Sequence, residues 1–310
     1  MIGRAEIAAA HDKVRAHIRR TPVLDLEAGA LGIDTPLSLK LEHLQATGSF
    51  KVRGAFNNLL SETVPKAGVV AISGGNHGAA VAMAATKLGA RSTVLVPETI
   101  AVEVKLARMR RFGTEVIVTP GSVDDAIAAY VRHAEETGAL AVHPYDSLRT
   151  LAGQGTVGLE LEEQVPDLDT LFVSVGGGGL IGGIAAWYAG RVKIVAVETT
   201  GTSSLDQTLK GTLPPDFRVS GISASGLGAS NIGTLPIEII RAHVADNIVV
   251  ADDDVVEAQR RLWSAARIVC EPGGVTALAA LTSGAYQPET GERIGVLLCG
   301  GNAEPGWFEA

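Results

Sequence analysis

The stretch that decides the fold is Leu171-Phe172-Val173-Ser174-Val175, followed by Gly176-Gly177-Gly178-Gly179-Leu180-Ile181-Gly182-Gly183. A short apolar run, a glycine turn and then small and aliphatic residues read as strand, turn and helix. A strand that is apolar on both faces belongs inside a parallel sheet covered by helices. The same pattern recurs along the chain. Strand candidates lie at 37–41, 69–72, 92–96, 115–118, 140–142, 171–175, 193–197, 247–250 and 294–298. Helical patterns lie between most of them, at 78–88, 101–112, 123–137, 155–164, 255–267 and 275–283. This alternation predicts an α/β fold with open parallel sheets. No repeat or low-complexity tract interrupts it, and residues 211–233 form the longest loop-like segment.

The chain has 310 residues, room for about two domains at roughly 150 residues each. Hydrophobic residues make up 46% and charged residues 19%, which excludes a disordered or collagen-like chain. Its 26 basic and 34 acidic residues give a net charge of −8, so no nucleic-acid or anionic-membrane partner is expected. Two cysteines, Cys270 and Cys299, are too few for a disulfide framework or a zinc cage and suit a reducing compartment. No apolar run reaches the ~20 residues of a membrane span, and the N-terminus lacks a signal-peptide pattern. Instead Ile2, Ile7, Ala10, Val14 and Ile18 mark one face of a helix. A soluble cytoplasmic protein is expected.

Four glycine-punctuated turns follow strand candidates, and in open α/β sheets ligands bind at the carboxyl ends of strands. The first, at 176–183, lets the backbone approach a phosphate and then offers the free N–H groups of a helix start. A plain turn that packs a helix on a sheet is the bland alternative. Gly177 to Gly182 also satisfy G-x-G-x-x-G, and Glu198 ends the next strand, so an NAD-binding oxidoreductase competes. The second turn is Gly48-Ser49-Phe50-Lys51-Val52-Arg53-Gly54-Ala55. A lone lysine is usually solvated; one in a cleft has a lowered pKa and can form a Schiff base. The third is Ser73-Gly74-Gly75-Asn76-His77-Gly78, either a capped helix start or a cradle of N–H groups for a carboxylate. The fourth is Cys299-Gly300-Gly301-Asn302, whose thiol is either an inert core group or a partner for a heterocycle nitrogen.

In this order the turns resemble the fold-type II pyridoxal-phosphate enzymes, in particular the serine/threonine dehydratase and serine racemase group. The resemblance covers nearly the whole chain. It includes Arg20-Thr21-Pro22, the run from Lys40 to Lys51, His143-Pro144-Tyr145-Asp146, Ala152-Gly153-Gln154-Gly155-Thr156 and Glu271-Pro272-Gly273-Gly274. It implies a tryptophan synthase β-like fold: two open-sheet α/β domains with pyridoxal 5'-phosphate in the cleft between them. Residues 1–60 and 146–310 would form the larger domain and 61–145 a smaller inserted one. Lys51 would hold the cofactor as a Schiff base and then serve as general base. Gly176, Gly177, Gly178, Gly179 and Leu180 would bind its phosphate. Asn76 would meet the ring's 3-oxygen, Phe50 would pack beside the ring, and Cys299 would face the pyridine nitrogen. Ser73, Gly75, Asn76 and His77 would cradle the substrate carboxylate.

The implied reaction is β-elimination from L-threonine, L-serine or a related β-hydroxy amino acid, giving a 2-keto acid and ammonia. A serine racemase-like activity is the alternative. Three departures from the group's pattern bear on this. Cys299 replaces the usual serine; a mostly neutral thiol makes a weaker electron sink, which suits elimination. Gly74 stands where racemases of the group carry an acid/base serine, which favours dehydration. Near Glu198, Ser204 replaces the carboxylate of a cation site found in racemase-like members, so the metal is left unassigned. The group is commonly dimeric, and a homodimer is expected. The segment 220–231 departs from the group's patterns and is expected to line or cover the site.

Overall fold

The computed structural model of the protein describes residues 2–303. Its strands are β1 Val23–Leu26, β2 Leu37–Lys40, β3 Val69–Ile72, β4 Ser92–Pro97, β5 Glu115–Thr119, β6 Leu140–Ala141, β7 Thr170–Ser174, β8 Lys193–Thr199, β9 Val244–Val250 and β10 Ile294–Leu297. They form a six-stranded sheet in the order β1-β2-β10-β7-β8-β9 and a four-stranded sheet in the order β5-β4-β3-β6. Every pairing is parallel except β1 with β2. The chain builds the first two strands of the larger sheet, then all of the smaller sheet, and then returns to the larger one.

The decisive stretch behaves as its composition requires. Leu171, Val173 and Val175 enter one apolar cluster, and Phe172 enters the cluster on the opposite face. Ile194 and Ala196 of β8 likewise part from Val195 and Val197. Period-two alternation between two buried faces is what a covered parallel strand shows. All nine strand candidates contain strands. β1 is the one that sequence reading missed. It is an antiparallel edge strand, Val-Leu-Asp-Leu, and only Leu26 of it is buried. Such a strand has neither the length nor the double-faced apolar run that marks the others.

The N-terminal helix Arg4–Val14 buries Ile7, Ala10 and Val14, as its pattern predicted. The helix Lys51–Leu60 has two attachments. Val52, Phe56 and Leu59 pack with Val69, Ala71 and Val142 in the core of the smaller sheet. Arg53 reaches the other way, into a buried cluster of charges. Its guanidinium donates to Glu42 at 2.7 and 2.8 Å and to Glu160 at 2.8 and 2.9 Å. Lys40 at the end of β2 adds a bond to Glu160 at 3.0 Å. Two cations and two carboxylates thus sit together, each at most 1% exposed. A buried pair of this kind is fully satisfied or very costly. Among the described residues, no helix is long and apolar enough to cross a membrane.

Candidate active site

All four glycine turns follow strands in the chain, and hydrogen bonds tie the second, third and fourth together. Ser49 forms a bridge with Gly300, Phe50 N–H donates to the Cys299 carbonyl at 3.3 Å, and Gly301 N–H donates to Gly48 at 2.8 Å. Asn302 Nδ2 donates to Asn76 Oδ1 at 2.7 Å and so ties the third turn to the fourth. A Cβ on Gly48 would lie 2.5 Å from Asn302, and Gly48 has φ +79°, so this crossing admits only glycine.

Lys51 opens the helix Lys51–Leu60 beside this junction. Its Nζ donates to the Pro144 carbonyl at 3.1 Å and lies 5.1 Å from the centre of the Phe50 ring. Burial lowers its pKa to about 8. A desolvated amine of this kind is the one that can act as a nucleophile near neutrality.

The turn at 176–179 is moulded around Tyr145. A Cβ on Gly177 would fall 2.4 Å from the Tyr145 ring, and one on Gly179 would fall 2.8 Å from its Cα. Gly178 has φ +88° and is the N-cap of the helix Gly179–Tyr188. The first N–H groups of that helix have no intrahelical partner, which makes its start an anion site. Leu180 sends its side chain into the core, so only its backbone is available to a phosphate.

In the third turn Ser73 Oγ accepts from Gly75 N–H at 3.0 Å. Asn76 begins the helix Asn76–Lys87. The His77 ring is buried, with Nε2 3.0 Å from the Val142 carbonyl and its pKa lowered to about 3 by burial. His77 therefore offers the site its backbone N–H, not its imidazole. The Cys299 thiol is 5% exposed and lies 3.5 Å from the Gly273 carbonyl. Burial, reinforced by Glu271, pushes its pKa up to about 12, so it is a neutral thiol. The segment expected to cover the site does approach these turns. A Cβ on Gly176 would lie 3.2 Å from Leu227 Cα, and one on Gly75 would lie 4.0 Å from the Ser225 carbonyl.

Comparison with known proteins decides what this assembly is. The family described as pyridoxal-phosphate dependent enzyme matches residues 14–300. The chain belongs to that family. It is 36% identical to an L-threonine ammonia-lyase of Geobacter sulfurreducens over 96% of this chain and 75% of the relative. It is 34% identical to a phenylserine dehydratase of Ralstonia pickettii over 97% of this chain and 94% of the relative. The structure of maize serine racemase superposes with a TM-score of 0.92 at 33% identity, covering 99% of this chain and 95% of that one.

The pyridoxal-phosphate enzyme has residues that fit the cofactor. A glycine turn packed on Tyr145 stands at a helix start, and the desolvated Lys51 amine is held by the carbonyl of Pro144, next to Tyr145 in the chain. The competing dinucleotide reading is set aside by the family match, and Glu198 adds a physical reason. Its two oxygens accept from the N–H groups of Leu205 at 2.7 Å and Asp206 at 2.8 Å, which leaves it poorly placed for a ribose. Burial raises its pKa to about 7. Among the described residues, no three His, Cys, Asp or Glu side chains gather as a metal site.

Sequence reading gave no role to four residues that build the site. Pro144 supplies the carbonyl that holds Lys51, Tyr145 backs the glycine turn, and Asn302 and Glu271 hold Asn76. All four stand in motifs quoted for the resemblance or in the fourth turn. Pro144, Glu271 and Asn302 lie 93, 195 and 226 positions from their partners, and Tyr145 is far outside any local motif of the glycines it backs, so no local spacing could show the contacts.

Proposed function

We propose that this enzyme eliminates the β-hydroxyl of an L-β-hydroxy amino acid such as L-threonine or L-serine, releasing a 2-keto acid and ammonia after hydrolysis. The observation that carries the reading is the desolvated Lys51 amine; Gly74, in the third turn, has no side chain to give a proton. Bound pyridoxal phosphate supplies an electron sink for charge that develops at the substrate α-carbon. The chain supplies the rest. The N–H groups at the start of the Gly179–Tyr188 helix would hold the phosphate, and Asn76 would donate to the ring's 3-oxygen. The free N–H groups of Asn76 and His77 would take the substrate carboxylate, with Ser73 and Gly75 shaping the loop. Lys51 Nζ would remove the α-proton as general base. The neutral Cys299 thiol would leave the ring nitrogen without a carboxylate partner, which limits the sink to what elimination needs.

Gly74 separates elimination from racemisation. Inverting the α-carbon needs a second proton donor on the opposite face, and Gly74 offers none. The space beside it is taken by Ile100, whose Cδ1 lies 2.6 Å from where a Cβ would stand. We also propose a cytoplasmic homodimer, with the smaller sheet's half closing over an amino-acid substrate.

Keto-acid release tests the reading, with the cofactor-loaded protein and a panel of L-threonine, L-serine, D-serine, β-hydroxyaspartate and phenylserine. Turnover of at least one L-substrate is expected, with loss of turnover in Lys51→Ala. Full turnover in Lys51→Ala, or efficient conversion of L-serine to D-serine, would overturn it.

A further inference from the structure

Glu271 is buried at this site and bonded to Asn76. It occupies the N-cap position of the helix Pro272–Thr282, with φ −64° and ψ 154°, yet its side chain makes no cap bond. An acidic residue at a helix start ordinarily turns toward the free N–H groups there. Glu271 instead crosses from the larger sheet's half to the smaller one and takes Asn76 Nδ2 at 2.6 Å. Gly300 makes room for it, while Gly226 packs at ordinary contact distance on its other oxygen. A Cβ on Gly300 would lie 1.8 Å from Glu271 Oε1, and one on Gly226 would lie 3.9 Å from Oε2.

The Asn76 amide is therefore held at both ends. Nδ2 donates to Glu271, while Oδ1 accepts from Asn302, whose Nδ2 also reaches the Thr47 carbonyl at 2.9 Å. The two ends of an amide are alike in shape, so its partners choose which way it points. Asn302 Nδ2, fixed by the Thr47 carbonyl, only donates, so Asn76 Oδ1 faces Asn302, Nδ2 faces Glu271, and one N–H remains for another acceptor. Burial raises the Glu271 pKa, and the Asn76 bond with the more distant Arg108 and Lys105 opposes that rise.

We propose that Glu271 is a positioning residue that fixes the Asn76 amide so that its second N–H faces the cofactor's phenolic oxygen. This rests on the reading above that Asn76 meets that oxygen. Glu271 acts only through Asn76 and touches no reacting atom.

The test uses the pyridoxal-phosphate-loaded protein as wild type, Glu271→Ala, Glu271→Gln, Asn76→Ala and the Glu271→Ala/Asn76→Ala pair. Two readouts need no turnover: the dissociation constant for pyridoxal phosphate, and the pH midpoint of the visible band of the lysine-bound cofactor. In Glu271→Ala the constant should rise roughly tenfold, as for one lost charge-assisted hydrogen bond, and the midpoint should shift by about half a unit or more. Glu271→Gln keeps an oxygen acceptor and should fall between, and it carries the test alone if the alanine variant does not fold. In the Asn76→Ala background, Glu271→Ala should add nothing further. A lower melting temperature with both readouts unmoved would reduce Glu271 to a structural part and overturn the proposal. An equally large effect in the Asn76→Ala background would overturn the route through Asn76. A wild-type protein with no lysine-linked visible band would instead defeat the reading of the site itself.

Discussion

Lys51 should react with pyridoxal phosphate as an amine of pKa about 8, not as an ordinary lysine of about 10.5. The cause is desolvation. The ammonium has one carbonyl partner, Pro144, and the face of Phe50, and among the described residues no carboxylate is bonded to it. Cys299 does not supply an anion, since its pKa is pushed up to about 12. At pH 7 an amine of pKa about 8 is roughly one-tenth neutral, whereas an ordinary lysine is neutral to about one part in 3,000. Only the neutral form attacks an aldehyde. The perturbation is therefore pH itself, applied to the cofactor-free protein. Stopped-flow absorbance would follow Schiff-base formation, divided by the rate for a small model amine corrected to its own neutral form. That division removes the titration of the aldehyde. The normalised rate should climb about 50-fold between pH 6 and 8 and then less than about twofold by pH 9. A rate that kept rising about tenfold per unit to pH 10 would show an exposed, ordinary lysine and refute the desolvation reasoning.

Three further outcomes follow from other contacts. Arg53→Met should cost about 3–5 kcal/mol in chemical denaturation, because it takes the guanidinium from two buried carboxylates and leaves Glu160 with Lys40 and Glu42 with the Thr21 hydroxyl. A loss below about 1 kcal/mol would mean that the cluster is not the buried pair described. Gly74→Ser alone should leave D-serine formation from L-serine undetectable, since Ile100 obstructs the new side chain, and adding Ile100→Ala should open that face. Racemisation by the single variant at a rate near that of dehydration would remove Ile100 from the account. Cys299→Asp should lower keto-acid release at least about tenfold, because a carboxylate there would hold the ring nitrogen protonated and deepen the sink. Unchanged elimination kinetics in that variant would dismiss the role given to the thiol.

The sequence made the frame legible where burial leaves a periodic trace. β7 and β8 are apolar on both faces because both faces are covered, and that can be read from the residues alone. Glycine turns are legible for a similar reason: Gly177 and Gly179 are required by the close approach of Tyr145, and composition marks the turn even when the neighbour is unknown. What stayed hidden depends on partners far apart in the chain. The ring of His77 is spent on the Val142 carbonyl, 65 positions away, which leaves its backbone N–H for the carboxylate role. Glu198 stood at the spot for a ribose acid or a cation ligand, but a following helix start claims both its oxygens. Glu271 lay in a motif with no assigned role because its partner, Asn76, sits 195 positions earlier on the other sheet's side.

The distribution of contacts between the two halves explains where the molecule is stiff. At the Lys51 end the join is buried. One helix carries apolar side chains into the smaller sheet's core and Arg53 into the larger half's charge cluster. At the mouth the joins are exposed polar pairs: Lys105 to Ser225 at 2.8 Å and Arg218 to Asp124 at 3.3 Å. An exposed ion pair such as Arg218–Asp124 is worth about 0–1 kcal/mol, whereas stranding one buried charge costs about 3–5 kcal/mol. Separating the halves is therefore far cheaper at the mouth than at the lysine. Between these extremes lies the Glu271–Asn76–Asn302 chain, the polar link that spans the cleft next to the reacting lysine. Any opening wide enough to part the halves at Asn76 must break that chain, so the amide that would meet the cofactor is aimed only while the halves are together.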